Sequence, residues 1–276
     1  MRFAINHMTA PNLAWRDLLR LANEVGASGV EYRNDLSTPL FSGEDPSVVG
    51  RAITQSGLEF YGLSQVYPFN AFDTKISNEV ERLIETAKIC GAQTISLIPR
   101  NDGLGRGNGE RQANLRLALR EIKPMLEDVG LVALVEPLGF ERSSLRYKKE
   151  AINAIEGVNG AHVFKIVHDT FHHYLAQETE FYPEHTGMVH VSGVVDTSLS
   201  ITEMEDDHRV LVDEEDRLGN IVQLKTLNDL GYKGPISMES FSPEIHKITD
   251  ITKLLKGSLD FIKSALNDKQ DVLISG

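Results

Sequence analysis

Residues 132–138, VALVEPL, form an apolar run ending at a carboxylate, and three later stretches place a carboxylate or an imidazole in the same way: FKIVHDT at 164–170, MVHVSGV at 188–194 and PISMESF at 235–241. Runs of this length and composition read as β-strands. Successive side chains of a strand point to opposite faces, so Val132, Leu134 and Glu136 share one face. By the same count Lys165, Val167 and Asp169 share a face, as do Met188 and His190, and Ser237 and Glu239. The apolar members of these sets mark the inward side. Glu136, Asp169, His190 and Glu239 therefore fall at the last inward position of four strands. Such positions favour Val, Ile and Leu, and a carboxylate or imidazole there calls for a chemical reason.

Working outward, the same unit of short apolar run and amphipathic helical stretch recurs along the chain. RFAINHM precedes NLAWRDLLRLANEVG, GVEYR precedes PSVVGRAITQSG, EFYGLSQ precedes TKISNEVERLIETAKICGA, and TISLIPR precedes ERQANLRLALREIKPMLEDVG. VALVEPL leads to KKEAINAIEGV, FKIVHDT to a short helix near HHYLAQ, MVHVSGV through a long loop to IVQLKTLNDLG, and PISMESF to ITKLLKGSLDFIKSALN. Gly26, Gly57, Gly91, Gly130 and Gly231 stand where helices turn back into strands, as left-handed caps do. Eight such units favour a single closed (β/α)8 TIM barrel, an α/β fold, over residues 1–267, with 268–276 as a polar tail. No GxGxxG follows the first strand, which removes the phosphate loop of a doubly wound nucleotide-binding sheet. The longer connections, including 196–220, follow the strands, at the end of a barrel where chemistry is found.

Bulk properties narrow the partners. The 276 residues carry a net charge of −12 and no basic run beyond Lys148-Lys149. A nucleic-acid binder needs a positive track against phosphates, so nucleic acid is not the expected partner. No run approaches the roughly 18 apolar residues of a membrane helix, and the N-terminus enters a strand without a signal-peptide core. The single cysteine, Cys90, allows no internal disulfide and lies on the apolar face of a helix, where it reads as a packed thiol. A cytoplasmic protein is expected, with no membrane contact; homo-oligomerisation is left open.

Three carboxylates converging inside a barrel would repel one another and raise their own pKa values. A lone strand-end carboxylate can simply cap the next helix, but four such groups on consecutive strands call for a divalent cation between them. Three oxygen donors and one imidazole suit Mn2+ or Mg2+ first, with Co2+ or Zn2+ as the other choices. A closed structural zinc site would more usually bring thiolates, which are lacking here. Around this centre, Asn6 ends the first strand in the inward phase and could bond a polyol. Glu31 and Arg33 end the second strand and are expected to pair. His172 lies three residues after Asp169 and could bond a substrate hydroxyl, and Arg209 is a candidate substrate clamp. Tyr67, Phe69 and Phe72 could wall the site, His168 should face the helices, His173 should be exposed, and Asp213 to Asp216 read as a solvated loop.

VALVEPLGF, FKIVHDTFHHYLA, MVHVSGV, DDHRVLV and GYKGPISMESFSPEIHKIT resemble the xylose-isomerase-like sugar isomerase and epimerase barrels, and among these the 2-keto-myo-inositol (inosose) isomerases of bacterial inositol catabolism. The resemblance implies metal ligation by Glu136, Asp169, His190 and Glu239, and substrate contact by His172 and Arg209. It implies a metal-dependent isomerase acting on a small keto-polyol, with Glu136 and Glu239 exchanging a proton between adjacent carbons through an enediolate. The same residues would serve a ketohexose 3-epimerase or a hydroxypyruvate-type isomerase. An endonuclease IV-like nuclease or a non-catalytic sugar-binding barrel are the readings from other classes. Many relatives follow the arginine with a Pro-Gly turn, whereas here Arg209 leads into VLVDEEDRLGN, so the sugar is left open.

Overall fold

A computed structural model describes residues 1–267; the tail expected after Asn267 lies outside the described residues. Its first half runs β1 (Arg2–Asn6), α1 (Trp15–Glu24), β2 (Gly29–Arg33), α2 (Pro46–Ser56), β3 (Glu59–Val66), α3 (Thr74–Cys90), β4 (Thr94–Leu97) and α4 (Asn108–Glu127). The second half runs β5 (Val132–Val135), α5 (Lys148–Gly157), β6 (Phe164–Asp169), α6 (Thr170–Leu175), β7 (Thr186–Val191), α7 (Asn220–Asp229), β8 (Pro235–Met238), α8 (Pro243–His246) and α9 (Thr252–Asn267). The strands pair in sequence order, all parallel, and β8 returns to β1 to close the barrel.

Alternation sorts the core into two layers. Ala4, Tyr61, Leu134, Val167 and Met188 fill the barrel interior. The opposite faces of the strands, including Ile5, Val30, Ile95, Val135, Ile166, Val189 and Ile236, pack against the helices in the larger cluster. In α1, Leu18, Leu21 and Ala22 recur at helical spacing on the buried side. Each large side chain so buried contributes about 1.5–3 kcal/mol. A third cluster, with Leu138, Phe140, Phe171, Leu175 and Met204, supports the loops above the carboxyl ends of the strands.

Helix ends follow the expected chemistry. Gly57 and Gly91 terminate α2 and α3 at φ of 77° and 76°, and Gly26, Gly130 and Gly231 also have positive φ. Asp73 caps α3 by accepting the Ile76 N–H at 2.8 Å. Where α2 crosses α3, a Cβ on Gly50 would lie 2.3 Å from the Cys90 carbonyl oxygen, so only glycine lets the backbones meet. Cys90 itself is buried, and burial pushes its thiol pKa up to about 11, as befits a packed group rather than a nucleophile. No helix among the described residues is long and apolar enough to cross a membrane.

Candidate metal centre and the cavity above it

Neighbouring strands carry the four strand-end groups to one point. Glu136 follows β5 directly and its N–H bonds the Leu97 carbonyl at 3.2 Å. Glu239 follows β8 and bonds the Val191 carbonyl at 2.9 Å. Asp169 is both the last residue of β6 and the N-cap of α6: its Oδ1 accepts from Phe171 N at 2.7 Å and His172 N at 3.2 Å, leaving Oδ2 turned inward. His190 sits in register between Asp169 on β6 and Ser237 on β8. One donor atom from each of Glu136, Asp169, His190 and Glu239 lies within 4.8 Å of the other three, and all four residues are buried.

The imidazole of His190 is held between carboxylates. Its Nε2 is 3.2 Å from Glu31 Oε2, while Nδ1 is 3.1 Å from Glu239 Oε2 and 3.6 Å from Glu136 Oε1. Nδ1 nevertheless makes no hydrogen bond. Glu239 is clasped from two sides: Arg33 Nη1 donates to Oε1 at 2.6 Å and Arg209 Nη2 to Oε2 at 3.1 Å. Arg209 Nη2 also donates to Asp169 Oδ2 at 2.6 Å, and its Nε donates to Ser192 Oγ at 2.9 Å. The guanidinium lies over the rings of Phe171 and Phe241, at 5.0 and 4.4 Å.

Two expectations about strands one and two change here. Arg33 does not pair with Glu31; it forks onto Asp35 at 2.9 and 2.7 Å and reaches Glu239 instead. Glu31 pairs with His190. Both side chains follow the inward phase, but they point at different partners across the barrel. Asn6 is fully buried, with its amide donating to Glu31 Oε2 at 3.4 Å and Glu239 Oε1 at 3.1 Å and its oxygen accepting from Met8 N at 3.0 Å. It ties two carboxylates together below the cavity.

Electrostatics separate the two glutamates. Burial raises the Glu136 pKa, and the charges of Glu239 and Asp169 add to that against the pull of His190. Burial pushes Glu239 the same way, but His190, Arg33 and Arg209 outweigh it and hold its carboxyl below the usual range. For His190, burial disfavours the charged ring, yet Glu239, Glu31 and Glu136 raise its pKa well above the ordinary value. Three carboxylates and an imidazole, with Nδ1 left bare among carboxylate oxygens, fit a divalent cation. The donor set carries no thiolate and offers oxygen in majority, so it suits a hard or borderline ion.

Above these groups lies a cavity of about 340 Å3, lined among others by Tyr67, Asn101, Glu136, His172, Arg209 and Phe241. Asn101 Oδ1 and His172 Nδ1 are buried there without a hydrogen-bond partner. His172 and Arg209 thus stand where the sequence suggested. Gln65, near the end of β3, and Asn101 and Arg142, from loops where no period links residue number to direction, also line the cavity and were not singled out. Arg142 reaches across to Glu205 in a two-point bridge of 2.6 and 2.5 Å.

Of the three aromatics expected as a wall, only Tyr67 lines the cavity; Phe69 is fully buried in the core and Phe72 packs against it. Ile98, Leu138 and Phe241 supply the apolar walls instead. His168 faces the helices as expected, bonding Gln223 Oε1 at 2.9 Å. His173, expected to be exposed, is buried, with Nδ1 2.6 Å from Lys148 Nζ, which also donates to Glu178 at 2.7 Å. A buried lysine needed partners, and α5 supplied it beside the tandem histidines. The stretch Asp213 to Glu215 is exposed, while Asp216 accepts from the Asn220 N–H at 3.0 Å at the start of α7.

A xylose isomerase domain containing protein from Salmonella typhimurium LT2 is similar over 97% of both chains, with 28% identity and a TM-score of 0.88. The IolI protein, solved with a binding zinc atom, shares 18% identity over 96% of this chain and 98% of its own, with a TM-score of 0.85. A D-psicose 3-epimerase from Clostridium cellulolyticum H10, solved with D-tagatose, shares 16% identity over 96% and 99%, with a TM-score of 0.74. No curated protein matches the chain. Residues 19–265 match the family described as Xylose isomerase-like TIM barrel, and the chain belongs to that family.

Proposed function

We propose that this protein is a metal-dependent isomerase that moves a carbonyl between adjacent carbons of a keto-polyol, with an inosose (2-keto-myo-inositol) as the substrate. The observation that carries the reading is the pair Glu136 and Glu239, on strands five and eight, flanking His190 at the floor of a cavity sized for a small ligand. A divalent cation held by Glu136, Asp169, His190 and Glu239, with Mn2+ or Mg2+ preferred, supplies Lewis-acid polarisation of the carbonyl and its neighbouring hydroxyl. The IolI protein's zinc supports a cation in this fold.

The chain's own groups account for the proton traffic. The reaction removes one C–H proton beside the carbonyl, returns one to the former carbonyl carbon, and transfers a hydroxyl proton between the two oxygens. Glu136 and Glu239 carry the carbon-bound protons, each serving as base in one direction and acid in the other. Arg209 has its charge fixed by Asp169, Glu239 and Asp206 and donates to oxygen developing negative charge. His172 lines the cavity and is the residue assigned to meet a substrate hydroxyl. Ile98, Leu138 and Phe241 present apolar surface to a ring face and limit water.

Glu136→Gln and Glu239→Gln are expected to abolish solvent-deuterium exchange into inosose while each variant keeps the wild-type circular dichroism spectrum. Exchange at the wild-type rate in both would overturn the assignment. The epimerase neighbours favour one second reading, 3-epimerisation of a free ketohexose on the same residues, and turnover of tagatose or fructose in place of inosose would select it.

A further inference from the structure

We propose that Glu31 is a positioning residue for the metal centre, fixing His190 as the Nε2–H tautomer so that Nδ1 presents its lone pair to the point shared with Glu136, Asp169 and Glu239. The inference rests on the reading that these four residues hold a divalent cation.

An imidazole that ligates a cation is neutral, with one N–H and one lone pair, and the partner of one nitrogen decides the role of the other. Among the described residues the hydrogen-bond and ion-pair partner of Nε2 is Glu31, at 3.2 Å from Oε2 and 3.5 Å from Oε1. With both carboxylate oxygens of Glu31 facing it as acceptors, Nε2 is the nitrogen that carries the hydrogen. Nδ1 is then the ligating atom, and it is the nitrogen that lies among carboxylate oxygens with no hydrogen bond of its own.

Glu31 is fully buried on β2, and among the described residues its sole ion pair is with His190. Asn6 adds one amide hydrogen bond at 3.4 Å. Arg33 passes it by for Asp35 and Glu239. A buried carboxylate without an arginine or lysine is costly, and an imidazole bound to a cation is the donor that offsets the cost. Gly62, the register neighbour of Glu31 on β3, would place a Cβ 2.8 Å from Thr94 Oγ1 and 3.3 Å from Glu31 Oε1.

Glu31→Gln keeps the volume and removes the charge. Metal-stripped wild-type protein, Glu31→Gln and His190→Ala would be titrated with Zn2+ and with Mn2+ in competition with a chromophoric chelator. Glu31→Gln is expected to bind about 10–100-fold more weakly than wild type. A purely structural role would lower the melting temperature and leave affinity alone. In Zn2+-loaded wild-type protein, nitrogen-15 NMR of His190 should show a protonated Nε2 and a metal-bound Nδ1, a readout independent of whether the variant folds. Affinity in Glu31→Gln within about twofold of wild type, or a protonated Nδ1 in the loaded wild type, overturns the role of Glu31 alone. Wild-type protein that binds neither ion more tightly than His190→Ala overturns the metal reading together with it.

Discussion

Replacing Arg209 by methionine tests the electrostatic design of the site in its metal-free state. The guanidinium is 1% exposed and donates to Asp169 Oδ2 at 2.6 Å and Glu239 Oε2 at 3.1 Å, both buried carboxylates. Its third acidic partner, Asp206 at 3.1 Å, has a side chain 37% exposed and adds little. Methionine keeps an unbranched stem between Phe171 and Phe241 but leaves Asp169 and part of Glu239 without a counter-charge. Removing one partner of a buried pair costs about 3–5 kcal/mol. At about 2–4 °C per kcal/mol for a domain near this size, the melting temperature of the stripped protein should fall by about 6–20 °C. A divalent cation brings positive charge to the same carboxylates, so saturating Mn2+ should narrow the gap between Arg209→Met and wild type. Paired calorimetry with and without Mn2+ reads both effects. A loss in stripped protein within the ~0.5 kcal/mol of an ordinary surface change would refute the reasoning. So would a gap that metal leaves unchanged.

Two further predictions concern the scaffold. His173 is buried against Lys148, and burial, reinforced by that charge, lowers its pKa to about 3. A lowered folded value means that stability is present above the unfolded pKa of about 6.5 and is lost as pH falls toward the folded value. Wild type should therefore lose stability relative to His173→Gln between pH of about 6.5 and about 3, by up to about 1.4 kcal/mol per pH unit. Parallel urea midpoints across that window would contradict it. Gly50→Ala should destabilise by about 1–3 kcal/mol in urea, because the added Cβ meets the Cys90 carbonyl oxygen at 2.3 Å and overrides the helix-propensity gain. A stabilised variant would show that α2 and α3 part easily.

The barrel and its four strand-end groups were legible because alternation is a strict geometric rule. Once VALVE, KIVHD, MVH and ISME are strands, Glu136, Asp169, His190 and Glu239 must share the axis. Alternation also puts Glu31 and Arg33 on one face of the second strand, but it could not say which partner each would meet. Sequence proximity suggested a mutual pair, whereas the barrel's closure set Glu31 against His190 and Arg33 against Glu239. His173 went astray for a related reason. Tandem histidines after a strand say nothing of Lys148, which comes from the preceding helix 25 residues away. Asn101, Arg142 and Glu205 come from loops, where no period links residue number to direction. Tyr67 lines the cavity, whereas Phe69 is buried in the core and Phe72 packs against it.

The central claim is that Glu136 and Glu239 pass a proton between adjacent carbons of a keto-polyol over a cation they help to hold. Incubating Mn2+-loaded protein with inosose in deuterated water tests it most directly. Deuterium is expected at the carbon next to the carbonyl, with loss of that labelling on chelation and its return with added metal. Label incorporation that persists in chelator, or its absence from inosose and from tagatose and fructose alike, would contradict it.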